Sequence, residues 1–229
     1  MLKWIGRLAL WLFLGLLALQ FWFFAHIIFW HKSNPSSTSF MDLRLSQLQA
    51  KNPNATLKHQ WVAYSQISNH LKRAVIAAED SGFTQHHGVE WKAIESALER
   101  NLERGKVTHG GSTITQQLAK NLFLSPERSY IRKAQELVIA LMIEATWSKQ
   151  RILEVYLNVV EWGNGVFGAQ AAALHYYGVG AGALGSYQSA RLAGMLPSPR
   201  YFDRNRGSQF LARKTGTIQA RMHMVAIPR

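Results

Sequence analysis

One apolar segment near the N-terminus limits the fold of this chain more than any other feature. The segment "LALWLFLGLLALQFWFFAHIIFW" runs from Leu8 to Trp30 and contains no Asp, Glu, Lys or Arg. A helix of about 20 apolar residues is long enough to cross the hydrocarbon core of a bilayer. Trp4 and Trp11 lie near one end and Trp22 and Trp30 toward the other, and such rings are enriched at both membrane interfaces. The segment therefore predicts a membrane-spanning helix.

The charges beside this segment predict its orientation. Lys3 and Arg7 precede it, so the positive-inside rule places the N-terminus in the cytoplasm, and Lys32 on the far side weakens this only slightly. The alternative is a cleaved signal peptide, whose apolar region is typically about 7–15 residues long and precedes an A-x-A-like site. The following "HKSNPSSTSF" contains no such site. We therefore predict an uncleaved anchor over residues 1–32, with the remaining chain outside the cytoplasm.

Composition narrows the classes of partner. The chain has 26 Lys and Arg against 13 Asp and Glu, a formal charge of +13, which favours an anionic partner such as nucleic acid, anionic lipid or a phosphate-bearing substrate. A merely soluble basic surface is the plainer explanation. The predicted location outside the cytoplasm argues against DNA or RNA. The absence of cysteine excludes disulfides, thiolate nucleophiles and cysteine-based zinc sites.

The rest of the chain reads as a linker followed by one mainly α domain. Residues 33–50 are the predicted linker, beginning with the small, polar "SNPSSTSF". Residues 51–229 contain successive helical patterns and no useful period-2 alternation. We expect a breaker at "PSPRYF" and a final basic helix after Gly207.

The stretch "EDSGFTQHHG" admits three interpretations: a metal site, an acid/base site or a polar turn. Adjacent histidines cannot share one ion with ordinary helical geometry, and no H-E-x-x-H is present, so His86 and His87 more plausibly hold the loop. A carboxylate at a helix end beside Phe83 would be partly desolvated, which raises its pKa toward the range of a general base. This favours Glu79 as an acid/base group and leaves the role of Asp80 open.

The stretch "GGSTITQQLAKN" combines turn glycines with a helix start. Ser112 or Thr113 is the expected cap, and Thr113 with Gln116 has capping-box spacing. Ser112, Gln116 and Lys120 share one helical face, which together with free N–H groups suits a phosphate or pyrophosphate. The spacing differs from that of a P-loop. An ordinary capped amphipathic helix fits the local pattern equally well.

The stretch "SPERSYIRKAQE" gathers three cations and one acid. Arg132 and Lys133 lie four and three residues before Glu136, so the three side chains can meet on one helix face, with Arg128 nearby. The functional interpretation is a cationic wall that stabilises a phosphate leaving group. An exposed ion-pair ladder is the alternative.

Together these segments closely resemble the peptidoglycan glycosyltransferases, glycosyltransferase family 51. "EDSGFTQHHG" resembles the first family motif, "GGSTITQQLAKN" the second, "RKAQE" the third and "RILEVYLN" the fourth. The resemblance spans roughly residues 60 to 205 and points to a monofunctional member, because no room remains for a transpeptidase domain. It implies a lysozyme-like, two-lobed helical domain whose small lobe is embedded in the membrane.

The resemblance also implies an activity: polymerisation of lipid II into β-1,4 glycan with inversion at the donor carbon, at the periplasmic face of a bacterial inner membrane. It assigns the general base to Glu79 and the second glutamate to Glu136. Implied substrate-binding residues are Phe83, Ser112, Thr113, Gln117, Lys120, Asn121, Arg128, Arg132 and Lys133. A divalent cation, Mg²⁺ or Mn²⁺, bridging the substrate pyrophosphate is left open without a protein ligand set, and cell-wall synthesis or division proteins are candidate partners.

Two other classes of function remain as alternatives. Two carboxylates in a lysozyme-like cleft also suit a muramidase that cleaves finished glycan. A non-catalytic, membrane-tethered binder of anionic lipid or wall polymer would explain the anchor and the charge but would leave the acids without a task.

Overall fold

The computed structural model describes residues 2–90, 111–127 and 129–228. Helices dominate this part of the chain, in agreement with the predicted mainly α class. Their bounds are α1 Leu2–Lys32, α2 Ser39–Gln49, α3 Asn69–Glu79, α4 Ile114–Phe123, α5 Tyr130–Thr146, α6 Lys149–Val159, α7 Ala169–Tyr177, α8 Ser186–Met195, α9 Pro199–Arg204 and α10 Gln209–Arg221. The pattern "EWKAIESALERNLERG", read as a helix from the sequence, lies outside the described residues.

The helices pack in two groups that share one core. Helix α8 packs against α3 and α10, and α4 packs against α5 and α6. Leu71 and Val75 of α3 and Leu192 of α8 are fully buried, and each such side chain contributes about 1.5–3 kcal/mol by leaving water. The C-terminal end of α3 contacts α4 through a hydrogen bond between two predicted site residues, Glu79 and Gln117.

A small sheet joins the chain after α6 to the segment before α3. The strands are β1 Lys58–His59, β2 Glu161–Gly163 and β3 Val166–Phe167, in the order β1-β3-β2, with β1 parallel and β2 antiparallel to β3. Gly168 follows the sheet with a φ of +82°, and a Cβ there would lie 2.7 Å from the carbonyl oxygen of Asn158. Strands of two or three residues are too short to show an alternating pattern, so the sequence did not predict them.

Two of the predicted irregular segments are helical. Most of the predicted linker, residues 33–50, forms α2, whose N-terminus is capped by Thr38 through a 3.2 Å bond from the Met41 backbone N–H. Arg44 of α2 binds Glu161 through Nε and an Nη at 2.7 and 3.1 Å. The expected breaker "PSPRYF" likewise begins α9, because Pro199 occupies the first helical turn, where its missing N–H costs nothing. The predicted final basic helix is confirmed as α10.

Helix α1 confirms the predicted N-terminal helix, and its C-terminal half packs against the domain. Its residues Trp4–Lys32 are long and apolar enough to cross a membrane. Residues 4–19 are exposed throughout, whereas Phe23 and Ile27 are buried against the domain. Trp147, at the end of α5, donates from its indole nitrogen to the Ile27 carbonyl oxygen at 2.8 Å. The C-terminal half of α1 is therefore part of the folded domain.

The contact between α1 and α5 contains a reciprocal amide pair. Gln20 Nε2 donates to Gln135 Oε1 at 2.8 Å, and Gln135 Nε2 donates to Gln20 Oε1 at 3.0 Å. Counted from Trp4, Gln20 is the first residue of α1 whose side chain is partly buried. An amide in an otherwise apolar contact requires such a partner, because an unpaired buried polar group carries its full desolvation cost.

We predict that Gln135→Leu alone destabilises the full chain by about 1–2 kcal/mol, because it leaves the Gln20 amide unpaired in an apolar contact. The double variant Gln20→Leu, Gln135→Leu should recover most of that loss, since both polar groups are then removed. Thermal unfolding in detergent micelles measures both. A double variant that is less stable than Gln135→Leu would show that the amide pair does not hold α1 on the domain.

Candidate active site

The first predicted catalytic acid ends a helix and faces the next one. Glu79 is the last residue of α3, and Asp80 is its C-terminal cap. The half-buried Glu79 carboxylate accepts a hydrogen bond at Oε2 from Nε2 of Gln117, which lies in α4, at 2.9 Å. The structure therefore brings together two predicted site residues that are 38 positions apart in the sequence.

The surroundings of Glu79 make it a stronger base than an ordinary glutamate. Burial raises the pKa of its carboxyl group, and the charge of Asp80 adds to this effect. The Gln117 hydrogen bond and the charges of Lys214 and Lys120 act in the opposite direction without cancelling it. A carboxylate whose pKa lies closer to neutral pH is better matched to removing a proton from a hydroxyl group.

Asp80 fixes the loop that follows Glu79. Its Oδ1 lies 2.8 Å from Nε2 of His86, and its Oδ2 accepts from the backbone N–H of Ile114, in the first turn of α4, at 3.0 Å. One potential metal-ligand atom from each of Asp80, His86 and Glu90 lies within 4.8 Å of the other two, a spacing that could hold a metal ion. The Asp80 oxygens already accept hydrogen bonds from His86 and Ile114, so Asp80 and His86 have a structural role without an ion.

Phe83 and His87 of this loop differ in burial. The ring of Phe83 is fully buried, with the Lys149 ammonium 4.6 Å from its centroid. His87 is exposed. Phe83 therefore supports the loop from inside, and the direct substrate contact that the resemblance implies for it stays a prediction.

The N-terminus of α4 confirms the predicted capping box and selects Thr113 as the cap. The Thr113 hydroxyl accepts from the Gln116 backbone N–H at 3.2 Å and donates to the Gly88 carbonyl oxygen at 2.6 Å. The Gln116 side chain in turn accepts from the Thr113 N–H at 3.1 Å. Gln116 is thus buried and occupied by the cap, so it does not join Ser112 and Lys120 on an open face.

Two of the three cations of the predicted wall, Arg132 and Lys133, surround one buried acid. Glu136 of α5 is buried and accepts hydrogen bonds from Arg132 Nη1 at 2.7 Å and from Lys133 Nζ. Lys133 also donates to the Ser112 hydroxyl at 2.9 Å, which ties α5 to the start of α4. Arg132 Nε is a buried donor without a hydrogen-bond partner among the residues described. Arg132 therefore has one donor that Glu136 does not use, on a guanidinium group of the kind that binds anions.

Lys120 connects the two acids electrostatically. It lies in α4 and is partly buried, and burial lowers the pKa of its ammonium group. The negative charges of Glu136 and Glu79 raise this pKa again, whereas the positive charges of Arg132 and Lys133 lower it further. Lys120 is thus close enough to both acids to share one electrostatic environment with them.

The remaining predicted residues differ in what the structure says of them. Asn121 is buried in α4 near Lys120. Arg128 lies outside the described residues, so its predicted contact with pyrophosphate stays a prediction. The described members of the predicted site that are linked by hydrogen bonds are Glu79 with Gln117, and Ser112 and Arg132 with Lys133 and Glu136. The charge of Lys120 acts between these two groups, and Thr113 caps α4 between them.

Two residues near Glu79 were not predicted from the sequence. Tyr156 of α6 donates from its hydroxyl to Gln117 Oε1 at 2.9 Å. Lys214 of α10 is partly buried, and its charge acts on Glu79. Tyr156 stands in "RILEVYLN", which resembles a family motif and could have drawn attention to it. Lys214 lies in a helix that was read only as a basic tail, and no local pattern distinguishes it.

Comparisons with known proteins agree with this geometry. The family model described as "Transglycosylase" matches residues 46–223. A biosynthetic peptidoglycan transglycosylase of Janthinobacterium sp. (strain Marseille) is 57% identical over 99% of this chain and 100% of its own length. Proteins of the same description from Azoarcus sp. (strain BH72) and Dechloromonas aromatica (strain RCB) are 58% and 55% identical over 99% of this chain and 97% and 100% of their own lengths. The chain therefore belongs to the transglycosylase family, with its lysozyme-like helical fold.

Proposed function

We propose that this protein polymerises lipid II into linear β-1,4 glycan strands of peptidoglycan, with undecaprenyl pyrophosphate as the leaving group. The observation that carries the proposal is that α4 contacts both parts of the site. Gln117 of α4 binds Glu79, and Ser112, just before α4, binds Lys133, which also binds Glu136. One side of this arrangement offers a base of raised pKa, and the other offers a cluster of cations. Glycosyl transfer from a lipid pyrophosphate needs both functions at one site.

In the proposed reaction Glu79 removes the proton from the 4-hydroxyl group of the acceptor sugar. The oxygen attacks C1 of the donor from the face opposite the α-linked pyrophosphate. The C1–O bond to the pyrophosphate breaks as the new bond forms, so the configuration inverts and a β-1,4 linkage results. The proton stays on Glu79 until it is released to solvent.

Leaving-group departure is the task of the cationic cluster. Negative charge develops on the pyrophosphate oxygen as the C1–O bond breaks, and preorganised cations stabilise that charge without reorganisation cost. We assign this task to Lys120 and Arg132 among the described residues. Lys133 already donates to both Glu136 and Ser112, whereas within that part of the chain the Arg132 side chain donates to Glu136 alone. We assign Glu136 to holding the cations in place, since its two oxygens bind Arg132 and Lys133.

The proposed location follows from the anchor and the substrate. With Lys3 and Arg7 in the cytoplasm, the domain lies on the periplasmic side of the inner membrane, where an anchored enzyme meets a membrane-bound donor. The net charge of +13 favours approach to the anionic head groups and to the pyrophosphate.

A divalent cation in this proposal would be bound by the substrate. Both oxygens of Asp80 accept hydrogen bonds, and Glu136 is bound by Arg132 and Lys133, so the proposal assigns the ion to the substrate and not to these acids. Mg²⁺ or Mn²⁺ bridging the pyrophosphate would supply additional charge neutralisation to the leaving group. No step of the reaction above depends on it.

The first test is the isosteric variant Glu79→Gln. We expect polymer formation from purified lipid II to fall by at least about 100-fold, because positioned general bases contribute about 10²–10⁴. Glu127→Gln, at an exposed position, serves as the matched control and should retain activity. Undiminished polymerisation by Glu79→Gln would refute the base assignment. Release of fragments from purified cell wall, with no polymer made by the wild type, would favour the muramidase alternative.

A second test uses the pH dependence. The rate should fall at acidic pH as Glu79 takes up its proton and at alkaline pH as Lys120 loses its charge, since its pKa lies below that of an ordinary lysine. In Lys120→Arg the alkaline fall should move to higher pH, because arginine stays charged beyond about pH 12. Lys51→Arg, at an exposed position, is the control. An alkaline limb that is the same in Lys120→Arg and wild type would exclude Lys120 as its source.

A further inference from the structure

A hydrogen-bond chain leads from the core of the domain to Glu79. The fully buried Tyr156 donates from its hydroxyl to Gln117 Oε1 at 2.9 Å. Gln117 Nε2 then donates to Glu79 Oε2, also at 2.9 Å. The three residues belong to α6, α4 and the end of α3, so the hydrogen bonds link three helices.

The hydroxyl of Tyr156 is a permanent donor. Burial raises the pKa of this hydroxyl well above its ordinary value, and the charges of Glu79 and Asp80 raise it further. The hydroxyl therefore keeps its proton at every pH at which the enzyme would work. Gln117 Oε1 is the acceptor of that proton in the described part of the chain.

The side-chain amide of Gln117 can satisfy its neighbours in two ways, because one end accepts and the other donates. In the observed arrangement Tyr156 donates to Oε1, and the NH₂ group donates to the Glu79 carboxylate. If the amide turned over, Oε1 would face Glu79, an arrangement that is favourable only when Glu79 is protonated. The Tyr156 hydroxyl would then face an NH₂ group, and its own proton would lose its acceptor.

We propose that Tyr156 is a positioning residue whose hydroxyl holds the Gln117 amide with its NH₂ group toward Glu79, and so favours the ionised, proton-accepting form of that carboxylate. The inference rests on the proposed function in assigning Glu79 the role of base. It adds a residue that touches neither substrate nor the reacting atoms. A buried donor left without an acceptor is costly, which is why the turned-over arrangement is disfavoured while the hydroxyl is present.

The other groups that act on Glu79 do not provide this selection. Asp80 disfavours the ionised carboxylate, and Lys120 and Lys214 favour it. These three act through charge alone and have no means of choosing between the two amide orientations. Removing the Tyr156 hydroxyl leaves their charges in place, so its effect can be measured against a constant background.

The first measurement is the pH profile of kcat/KM for polymer formation by Tyr156→Phe. Without the hydroxyl the amide can turn over when Glu79 is protonated, so the acidic limb should move upward by about one pH unit, a size typical of one hydrogen bond to a charged group. The plateau at higher pH should change little, because the ionised form still receives the Gln117 bond. Tyr176→Phe is the matched control: the Tyr176 hydroxyl donates to the backbone oxygen of Trp162 at 2.9 Å.

The second measurement tests whether Tyr156 acts through Gln117. Gln117→Met removes the amide at similar length and should raise the acidic limb at least as far as Tyr156→Phe does. In the Gln117→Met background, adding Tyr156→Phe should cause no further movement. Additive shifts would show that Tyr156 affects Glu79 by another route and would overturn the proposal.

The third measurement does not depend on turnover. Titration of the Glu79 carboxyl carbon by ¹³C NMR in glutamate-labelled full-length protein, with Glu79→Gln identifying the signal, should show the same upward shift in Tyr156→Phe and in Gln117→Met. A wild type that titrates as expected but makes no polymer would refute the proposed function and leave the positioning role standing. A midpoint that is unmoved in Gln117→Met, or in a folded Tyr156→Phe, or that moves equally in Tyr176→Phe, would overturn the positioning role itself.

Discussion

The hydrogen bonds of Asp80 are the interaction on which the candidate site depends. One oxygen of this buried carboxylate binds the His86 ring, and the other accepts the backbone N–H of Ile114. The loop after α3 and the first turn of α4 are thereby fixed to each other. Glu79, one residue before Asp80, is consequently held opposite Gln117, which lies one turn into α4. Asp80 therefore sets the geometry of the site, and Glu79 is the acid that the proposed reaction uses as its base.

The cationic cluster, formed by Arg132, Lys133 and Glu136, is also fixed by hydrogen bonds. Glu136 is the buried acid of the cationic cluster, and it holds Arg132 and Lys133 on α5, while Lys133 also reaches Ser112 before α4. A buried carboxylate without these partners would be unstable, and the cations without the carboxylate would repel one another. The arrangement gives the cluster a fixed net positive charge, which suits the pyrophosphate of the proposed reaction.

Local spacing predicted the parts of the site that lie within one helix. The Thr113–Gln116 capping box and the Arg132–Glu136 contact each involve residues three or four apart. At that spacing, helix geometry alone determines which side chains contact each other. Residues 33–50 were predicted as a linker, but most of them form α2, because that helix depends on a distant contact. Helix α2 is held by Arg44 bound to Glu161, a contact across 117 positions that no local pattern announces.

The rest of the site depends on tertiary packing. The sequence left the role of Asp80 open because its partner Ile114 lies 34 positions away. Tyr156 of α6 is linked to Glu79 through Gln117, and the charge of Lys214 of α10 acts on Glu79. The local patterns of these two helices indicate only a buried face and a basic surface. The four motif-like segments could be recognised one by one, but which carboxylate faces which donor is decided by how α3, α4, α6 and α10 pack.

The central claim of this account is that Glu79 meets the acceptor hydroxyl while the Lys120 side of the cleft meets the pyrophosphate. A crystal structure of the Glu79→Gln protein with lipid II analogues in both the donor and acceptor positions tests it most directly. We predict the acceptor 4-hydroxyl oxygen within hydrogen-bond distance of the residue 79 side chain, and a pyrophosphate oxygen within that distance of Lys120 Nζ. A structure in which the hydroxyl lies against Glu136 instead, with residue 79 facing no sugar atom, would contradict the account.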